Sequence, residues 1–260
     1  MKKKYPKISI IIPSLNQGQF IERTICSILD QSYPNLELIV IDGGSTDNTR
    51  QILKHYSKKL TWFSDKDEGQ SDALNKGLKK TTGEIISYLN SDDMLLPGSL
   101  VKIAGYFNQH KDIYWLTGKC YIIDARERNI HPLIIGYKNF WLKYLRGRLS
   151  LEILNYISQP ATFWRKYAFQ TVGEFNKELN YTMDYDYWLR LIRKYKLGYI
   201  DEYLAAFRIH SNSKSGQNYQ SIFAENSGVS VRYSNKFISL LHQIHDKLTV
   251  YIYRFIRKDL

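Results

Sequence analysis

Cysteine is almost absent from the chain. Cys26 and Cys120 are its two thiols in 260 residues, and their spacing offers neither a metal knot nor a disulfide framework, which suits a reducing cytosol. A long apolar run is missing as well: no stretch reaches the roughly 18 uninterrupted apolar residues of a membrane span. Ile8-Ser9-Ile10-Ile11-Ile12, behind Lys2, Lys3 and Lys4, is shorter than the roughly 7–15 residue core of a secretory signal, and no small-residue cleavage site follows it. It reads as a buried strand. Internal repeats, low-complexity tracts and linkers are also lacking. Acidic side chains are in the minority, 25 against 37 Lys and Arg. The deficit is uneven: residues 1–130 carry 18 basic and 15 acidic side chains (18 − 15 = +3), residues 131–260 carry 19 and 10 (19 − 10 = +9). Either a general solubilising bias or an anionic partner of the second half (phosphate, membrane surface or nucleic acid) accounts for that asymmetry. What is present is an ordinary globular mixture, 43% hydrophobic and 24% charged, long enough for one domain or a domain with an appendage. Its 21 tyrosines suit surfaces that meet sugars or membrane interfaces.

Strand and helix signals alternate over the first hundred residues. Lys7 to Pro13 is a β-branched run expected of a strand covered on both faces. Phe20, Ile21, Ile25, Ile28 and Leu29 recur at helical spacing until Pro34. Leu36 to Ile41 is a second strand, ended by Gly43-Gly44, and Ser45 or Thr46 can cap a helix running to about Tyr56. Thr61 to Phe63, a helix over 70–80 and a strand from Glu84 to Leu89 complete a β-α-β-α-β-α-β order, which implies right-handed crossovers and a largely parallel sheet. Ligands of such sheets sit beyond the carboxyl ends of the strands, where Ser14-Leu15-Asn16, Asp42-Gly43-Gly44-Ser45 and Asn90-Ser91-Asp92-Asp93 all fall. In the second half, Tyr114 to Asp124 predicts a strand, and Tyr137 to Tyr156 an aromatic, basic helical stretch interrupted at Gly147. Asp184 to Tyr195 predicts an amphipathic helix, and two short strands are expected either side of Asp201. A polar loop over Arg208 to Gly216 and a helix from Phe237 onward close the chain.

The polar clusters carry the chemistry, each with a structural alternative. Asp92 and Asp93 repel each other at a buried strand end and stay ionised together only with compensation, which a hard divalent cation shared with substrate phosphates would give; a helix cap before Pro97-Gly98 is the other reading. Asp42 before Gly43-Gly44 either accepts hydrogen bonds from a nucleoside or closes a structural turn, and the helix start after it could attract phosphate. Asp67-Glu68-Gly69-Gln70-Ser71-Asp72 with Asn75-Lys76-Gly77 either holds a sugar nucleotide or caps a helix. Asp184 and Asp186 point about 200° apart on a helix, so one can face a pocket as a partly desolvated general base while the other caps or pairs with Arg190 or Lys194. His210 is either a structural histidine or a ligand.

Taken together, Pro13-Ser14-Leu15-Asn16, Ser27 to Tyr33, Val40 to Asp47, Asp72-Ala73-Leu74-Asn75-Lys76-Gly77, Gly83-Glu84, Leu89 to Asp93 with Pro97-Gly98, and Asp184 to Arg190 resemble, in order and spacing, the motifs of family 2 glycosyltransferases from about residue 7 to 211. The resemblance implies an α/β GT-A fold: a Rossmann-like, mostly parallel central sheet flanked by helices, with a C-terminal helical extension. It implies a catalytic domain over 1–215, divided into a nucleotide-sugar half (1–110) and an acceptor half (111–215), with the extension at 216–260. Pro13, Ser14, Asn16, Asp42, Gly43, Ser45, Gly69, Asp72, Asn75, Asn90 and Ser91 would then bind the nucleotide sugar. Asp92 and His210 would bind Mn²⁺ or Mg²⁺, and Asp184 would be the catalytic base. Asn90 stands where many relatives have an acid, Gly43 where many have a second Asp, and Met183 where a Glu often precedes the base. The Gln-x-x-Arg-Trp signature of processive members is absent, so one sugar per encounter is expected, in bacterial surface-polysaccharide assembly. The expected partners are a nucleotide-sugar donor and a glycan or lipid-linked acceptor, in the cytoplasm or peripherally on the inner face of the plasma membrane. The apolar stripe of the last helix, with Lys236, Lys247, Arg254, Arg257 and Lys258, would lie on that membrane or pack against the domain or a second protomer as a homodimer. A nucleotidyltransferase would carry a basic Gly-rich phosphate loop where Asn16-Gln17-Gly18-Gln19 stands, and no nucleic-acid module is recognisable.

Overall fold

The computed structural model describes residues 5–211, 213 and 219–256. Lys2, Lys3, Lys4, the stretch 214–216 of the polar loop, Arg257 and Lys258 lie outside them, as do the side chains of Ile252, Arg254 and Phe255. One eight-stranded sheet runs through the molecule in the order β3-β2-β1-β4-β7-β6-β8-β5. Its strands are β1 (Ile8–Ser14), β2 (Leu36–Asp42), β3 (Thr61–Ser64), β4 (Ile85–Tyr88), β5 (Met94–Leu95), β6 (Trp115–Ile123), β7 (Thr162–Arg165) and β8 (Leu197–Arg208). The first four strands pair in parallel, as expected. Three antiparallel pairings, β4–β7, β6–β7 and β5–β8, enter with the second half.

Ile8, Ile10 and Ile12 face one core and Ile11 the other; Leu38 and Val40 alternate with Ile39 and Ile41 in the same way. Strict alternation with both faces apolar is what a strand covered on both sides requires. Helices α1 (Ile21–Leu29), α2 (Thr49–His55) and α4 (Ser99–Gln109) lie over the first core; α3 (Gln70–Lys80), α7 (Lys166–Val172) and α8 (Met183–Lys194) lie over the second. Helix α3 approaches the sheet so closely that a Cβ on Gly77 would stand 2.5 Å from the Ile11 Cγ2. Helix α2 starts at Thr49, whose amide donates to Asp47 Oδ1, so the cap lies downstream of Ser45 and Thr46.

Where two short strands were expected about Asp201, β8 is one strand, paired in parallel with β6 through register shifts at Gly118/Lys119 and Lys119/Cys120. The exposed pair Asp201-Glu202 at that irregularity mimics a break in the sequence pattern. Helix α5 (Pro132–Tyr144) and the short α6 (Arg148–Ile153) flank the interruption at Gly147. After the loop come α9 (Tyr219–Tyr233) and α10 (Lys236–Ile256), which pack on α6, α8 and each other. Ser230 Oγ donates to the Glu152 carbonyl and Tyr233 OH donates to Asp186 Oδ1 at 2.7 Å, so these helices are joined to the body by specific polar contacts.

Candidate active site

The register aligns three strand ends. Ser14 stands opposite Asp42, and Asp42 opposite Ser64, so the carboxyl ends of β1, β2 and β3 form one row. Beyond that row the two loops bind each other: the Asn16 amide donates to Ser45 Oγ at 2.7 Å, the Thr46 amide to Asn16 Oδ1 at 2.8 Å, and the Gly43 amide to the Ser14 carbonyl at 2.8 Å. Asn16 adopts a positive φ of 53° to do so. Asp42 is fully buried, and its carboxylate accepts from the Ser45 amide, the Ser45 hydroxyl and the Ser64 hydroxyl.

A cavity of about 390 Å³ opens above, lined by Pro13, Ser14, Gly69, Asn90, Ser91 and Asp92 among others. Six of the expected residues thus meet at one wall. Asn16, Asp42, Gly43 and Ser45 form the turn beneath it. Asp72 and Asn75 point elsewhere. Asp72 is held well below the usual carboxylate range by the ammonium groups of Lys177 and Lys76, and Asn75 closes a pair of hydrogen bonds with the backbone of Phe175. Gly69, at φ +109°, turns the chain into α3, and Gln70 then donates to Asn90 Oδ1 at 2.7 Å. Ser14 Oγ is buried and has no hydrogen-bond partner among the described residues. An orphaned hydroxyl on a cavity wall is a group a ligand can satisfy.

Asp92 meets His210, Oδ2 to Nε2 at 3.1 Å, with the imidazole packed on the Phe20 ring. The neighbouring Asp93 is turned inward. Burial, and secondarily the adjacent Asp92, pushes its carboxyl well above its ordinary range, while the Arg208 amide and Asn90 hydrogen-bond to it. Arg208, itself 1% exposed, binds the Asp92 carbonyl from Nε at 2.7 Å and reaches the Asp124 carbonyl and Glu127. Among the described residues no group of three or more His, Cys, Asp or Glu could hold a metal. A divalent ion that keeps waters and leans on a diphosphate needs fewer: Asp92 supplies an oxygen donor at the cavity wall, and the His210 imidazole, which lines a neighbouring pocket rather than this one, supplies a nitrogen donor in contact with it. The pair fits in that sense.

A second cavity of about 300 Å³ adjoins the first, sharing Gln70, Asn90 and Phe207 with it, and Asp184 lines it. Asp186, two residues on, turns away and pairs with Arg190 at 3.0 Å. Burial raises the Asp184 carboxyl to about 6, against the opposing pull of the Tyr185 amide and the Lys138 ammonium. Three further groups that no local pattern announced lie there: Asn155 Oδ1, Gln159 Oε1 and Asn226 Oδ1 are buried acceptors without a hydrogen-bond partner among the described residues. Lys138, brought in by α5, is a fourth, its ammonium lowered by burial. Nothing local marks any of the four: Asn226 sits between Glu225 and Ser227, and Lys138 beside Asn139, as on any solvated helix face.

The model of the family described as glycosyl transferase family 2 matches residues 9–173, more than half of the chain. The chain belongs to that family. Among curated relatives of this glycosyl transferase family 2 member, a protein of Rickettsia typhi called an uncharacterized glycosyltransferase is 29% identical over 211 residues, 79% of this chain and 64% of that protein. The chain therefore spans just under two thirds of that relative's length. A putative teichuronic acid biosynthesis glycosyltransferase of Bacillus subtilis, TuaG, is 29% identical over 230 residues, covering 83% of this chain and 84% of TuaG. Among solved structures, the mannosyltransferase PcManGT of Pyrobaculum calidifontis, in complex with GDP-Man and Mn²⁺, superposes with a TM-score of 0.70 at 16% identity, over 94% of this chain and 69% of that one. That likeness shows the GT-A fold.

Proposed function

We propose that this family 2 member moves one hexosyl or N-acetylhexosaminyl unit, with inversion, from a nucleoside-diphosphate sugar (a UDP-sugar by family resemblance) to a hydroxyl of a glycan or lipid-linked saccharide. The observation that carries the reading is the adjacency of the two cavities, with Asp92, backed by His210, lining one and Asp184 lining the other. Asp184 accepts the proton of the acceptor hydroxyl as its oxygen bonds to the anomeric carbon, and the bond from that carbon to the diphosphate breaks on the opposite face. A carboxyl near 6 is ionised at neutral pH yet basic enough to take a proton in the transition state. Ser14 Oγ offers a hydrogen bond to the donor nucleotide, and the orphaned amide oxygens of Asn155, Gln159 and Asn226 suit the hydroxyl hydrogens of a saccharide. Mn²⁺ or Mg²⁺ held by Asp92 and His210 would supply Lewis-acid neutralisation of the diphosphate leaving group. The GDP-Man and Mn²⁺ of PcManGT and the teichuronic acid assignment of TuaG support a nucleotide-sugar donor, a metal and polysaccharide assembly.

Asp184→Asn tests the reading. Turnover is expected to fall roughly a thousandfold while donor affinity, followed by calorimetry, is retained. Turnover near that of the unaltered chain would remove Asp184 from the chemistry.

A further inference from the structure

Two helices from distant parts of the chain carry their apolar side chains outward. On α10 the buried side is polar, Ser239, His242 and Asp246, whereas Phe237, Leu240, Ile244 and Leu248 on the opposite side are 48% to 66% exposed. At 100° per residue those four positions fall within about 80° of one another, and the buried three are centred diametrically opposite. Helix α5 repeats the pattern: Leu133, Tyr137, Phe140 and Tyr144, spaced for a single stripe, are 44% to 85% exposed, while Ile135 and Leu142 face inward. The two helices touch beside these stripes, where Tyr137 OH lies 3.1 Å from His245 Nε2 with the rings parallel. Two exposed apolar stripes on helices that touch each other are unusual on a monomer and mark something they bind.

The charges around it choose the occupant. Helix α5 contains no Asp or Glu at all, and the sole acid of α10, Asp246, is buried. Lys236 and Lys247 flank the α10 stripe, and Lys143, Arg146 and Arg148 stand exposed at the end of α5. Lys143 and Arg148 have carboxylate neighbours in Asp201 and Glu152. A symmetric pairing of two copies through α10 would set lysine against lysine, where paired helices use opposite charges at the flanks of the seam. An anionic lipid surface is complementary to the whole patch, with phenylalanine and leucine entering the acyl boundary, tyrosines at headgroup level and lysines on the phosphates.

We propose that α5 and α10 together form a docking surface for an anionic membrane. The inner side of α5 carries Ile134 and Lys138 into the Asp184 cavity, so the helix that rests on lipid also walls the acceptor side of the cleft. A lipid-linked acceptor would reach Asp184 over that helix. This last consequence rests on the proposed transfer reaction; the docking itself does not.

The test is flotation of the full chain with vesicles of phosphatidylcholine alone and of equimolar phosphatidylcholine and phosphatidylglycerol. The chain is expected to float with the anionic vesicles and to be released by salt. Leu240→Gln with Leu248→Gln on α10, and separately Leu133→Gln with Phe140→Gln on α5, should each weaken binding at least about tenfold. Lys247→Ala should weaken it about fivefold. Thermal melting and donor binding by the variants confirm that they fold. No flotation on anionic vesicles, or equal flotation of every folded variant, overturns the proposal; so does a dimer in sedimentation that the same α10 variants split into monomers. A chain that floats but transfers no sugar would leave the surface standing and remove the enzymatic reading.

Discussion

Ser14, Asp42 and Ser64 stand side by side because β1, β2 and β3 are parallel and in register, and nothing farther than the next loop is needed to hold them. Asp184 is differently placed. Its cavity draws on α5, the loop before β7, α8 and α9, and its polar groups arrive from these four separate parts of the chain. The row of Ser14, Asp42 and Ser64 is therefore a property of strand order, which short motifs encode, and the Asp184 cavity a property of packing. Variation in α5, the loop before β7 and α9 can change that cavity without touching β1, β2 and β3.

Arg208 holds the Asp92 loop and the turn at Asp124 to the end of β8, and its removal is expected to have the largest effect. Its guanidinium is buried among the carbonyls of Asp92 and Asp124 and the Glu127 carboxylate, and its amide binds Asp93. Arg208→Met keeps the bulk but orphans those acceptors. Loss of a buried, hydrogen-bonded charge costs about 3–5 kcal/mol. Urea unfolding should show that loss, and surviving protein should bind donor more weakly because the guanidinium no longer holds the Asp92 carbonyl. A variant with unchanged unfolding and donor affinity would show that the backbone contact to Asp93 and the β5–β8 pairing hold the loop without it.

How much was visible in the sequence follows the same division. Pro13-Ser14 and Asn90-Ser91-Asp92 could be placed at a common cleft because strand ends in a parallel sheet converge. Helical geometry alone set Asp184 and Asp186 on different sides of the helix, the family resemblance chose Asp184 for the pocket, and Asp186 does pair with Arg190. Asn75 shows the limit. A polar residue early in α3 looks the same whether it faces a ligand or, as here, the Phe175 backbone a hundred residues away. Strand β7 was missed because four residues at the sheet centre have no period to read, and β8 looked like two strands because its exposed Asp201-Glu202 sits at a register shift. Arg208 was illegible for a related reason: its partners lie 81 to 116 residues away.

The pH dependence sharpens the contrast within the acceptor side. With its carboxyl near 6, Asp184 loses its ability to accept a proton as pH falls, so kcat/KM should drop tenfold per unit below about pH 6 and level off above it. Lys138 favours the ionised form. Lys138→Met should therefore move the acid limb to higher pH while leaving donor affinity alone. A limb that stayed in place would show that the ammonium is not part of the electrostatics of the base.

Glu225 acts from the opposite side and more weakly. Burial works against its ionisation, but the amides of Asn180, Tyr181 and Thr182 and the Thr182 hydroxyl outweigh burial and hold it below the usual range. Its carboxylate thereby caps the start of α8 from α9, just ahead of Asp184. Because the folded-state value is depressed, the cap stabilises the fold above the ordinary glutamate range, and that contribution is lost as pH falls through the depressed value. Glu225→Gln retains an acceptor oxygen but removes the charge at the helix start, so about 1 kcal/mol of stability should go. The same charge raises the Asp184 carboxyl slightly, hence the variant's acid limb should move to lower pH, opposite in sign to that of Lys138→Met. Equal pH profiles with equal melting temperatures would mean that α9 merely covers the acceptor side; opposite shifts in the two variants would show that it tunes the base.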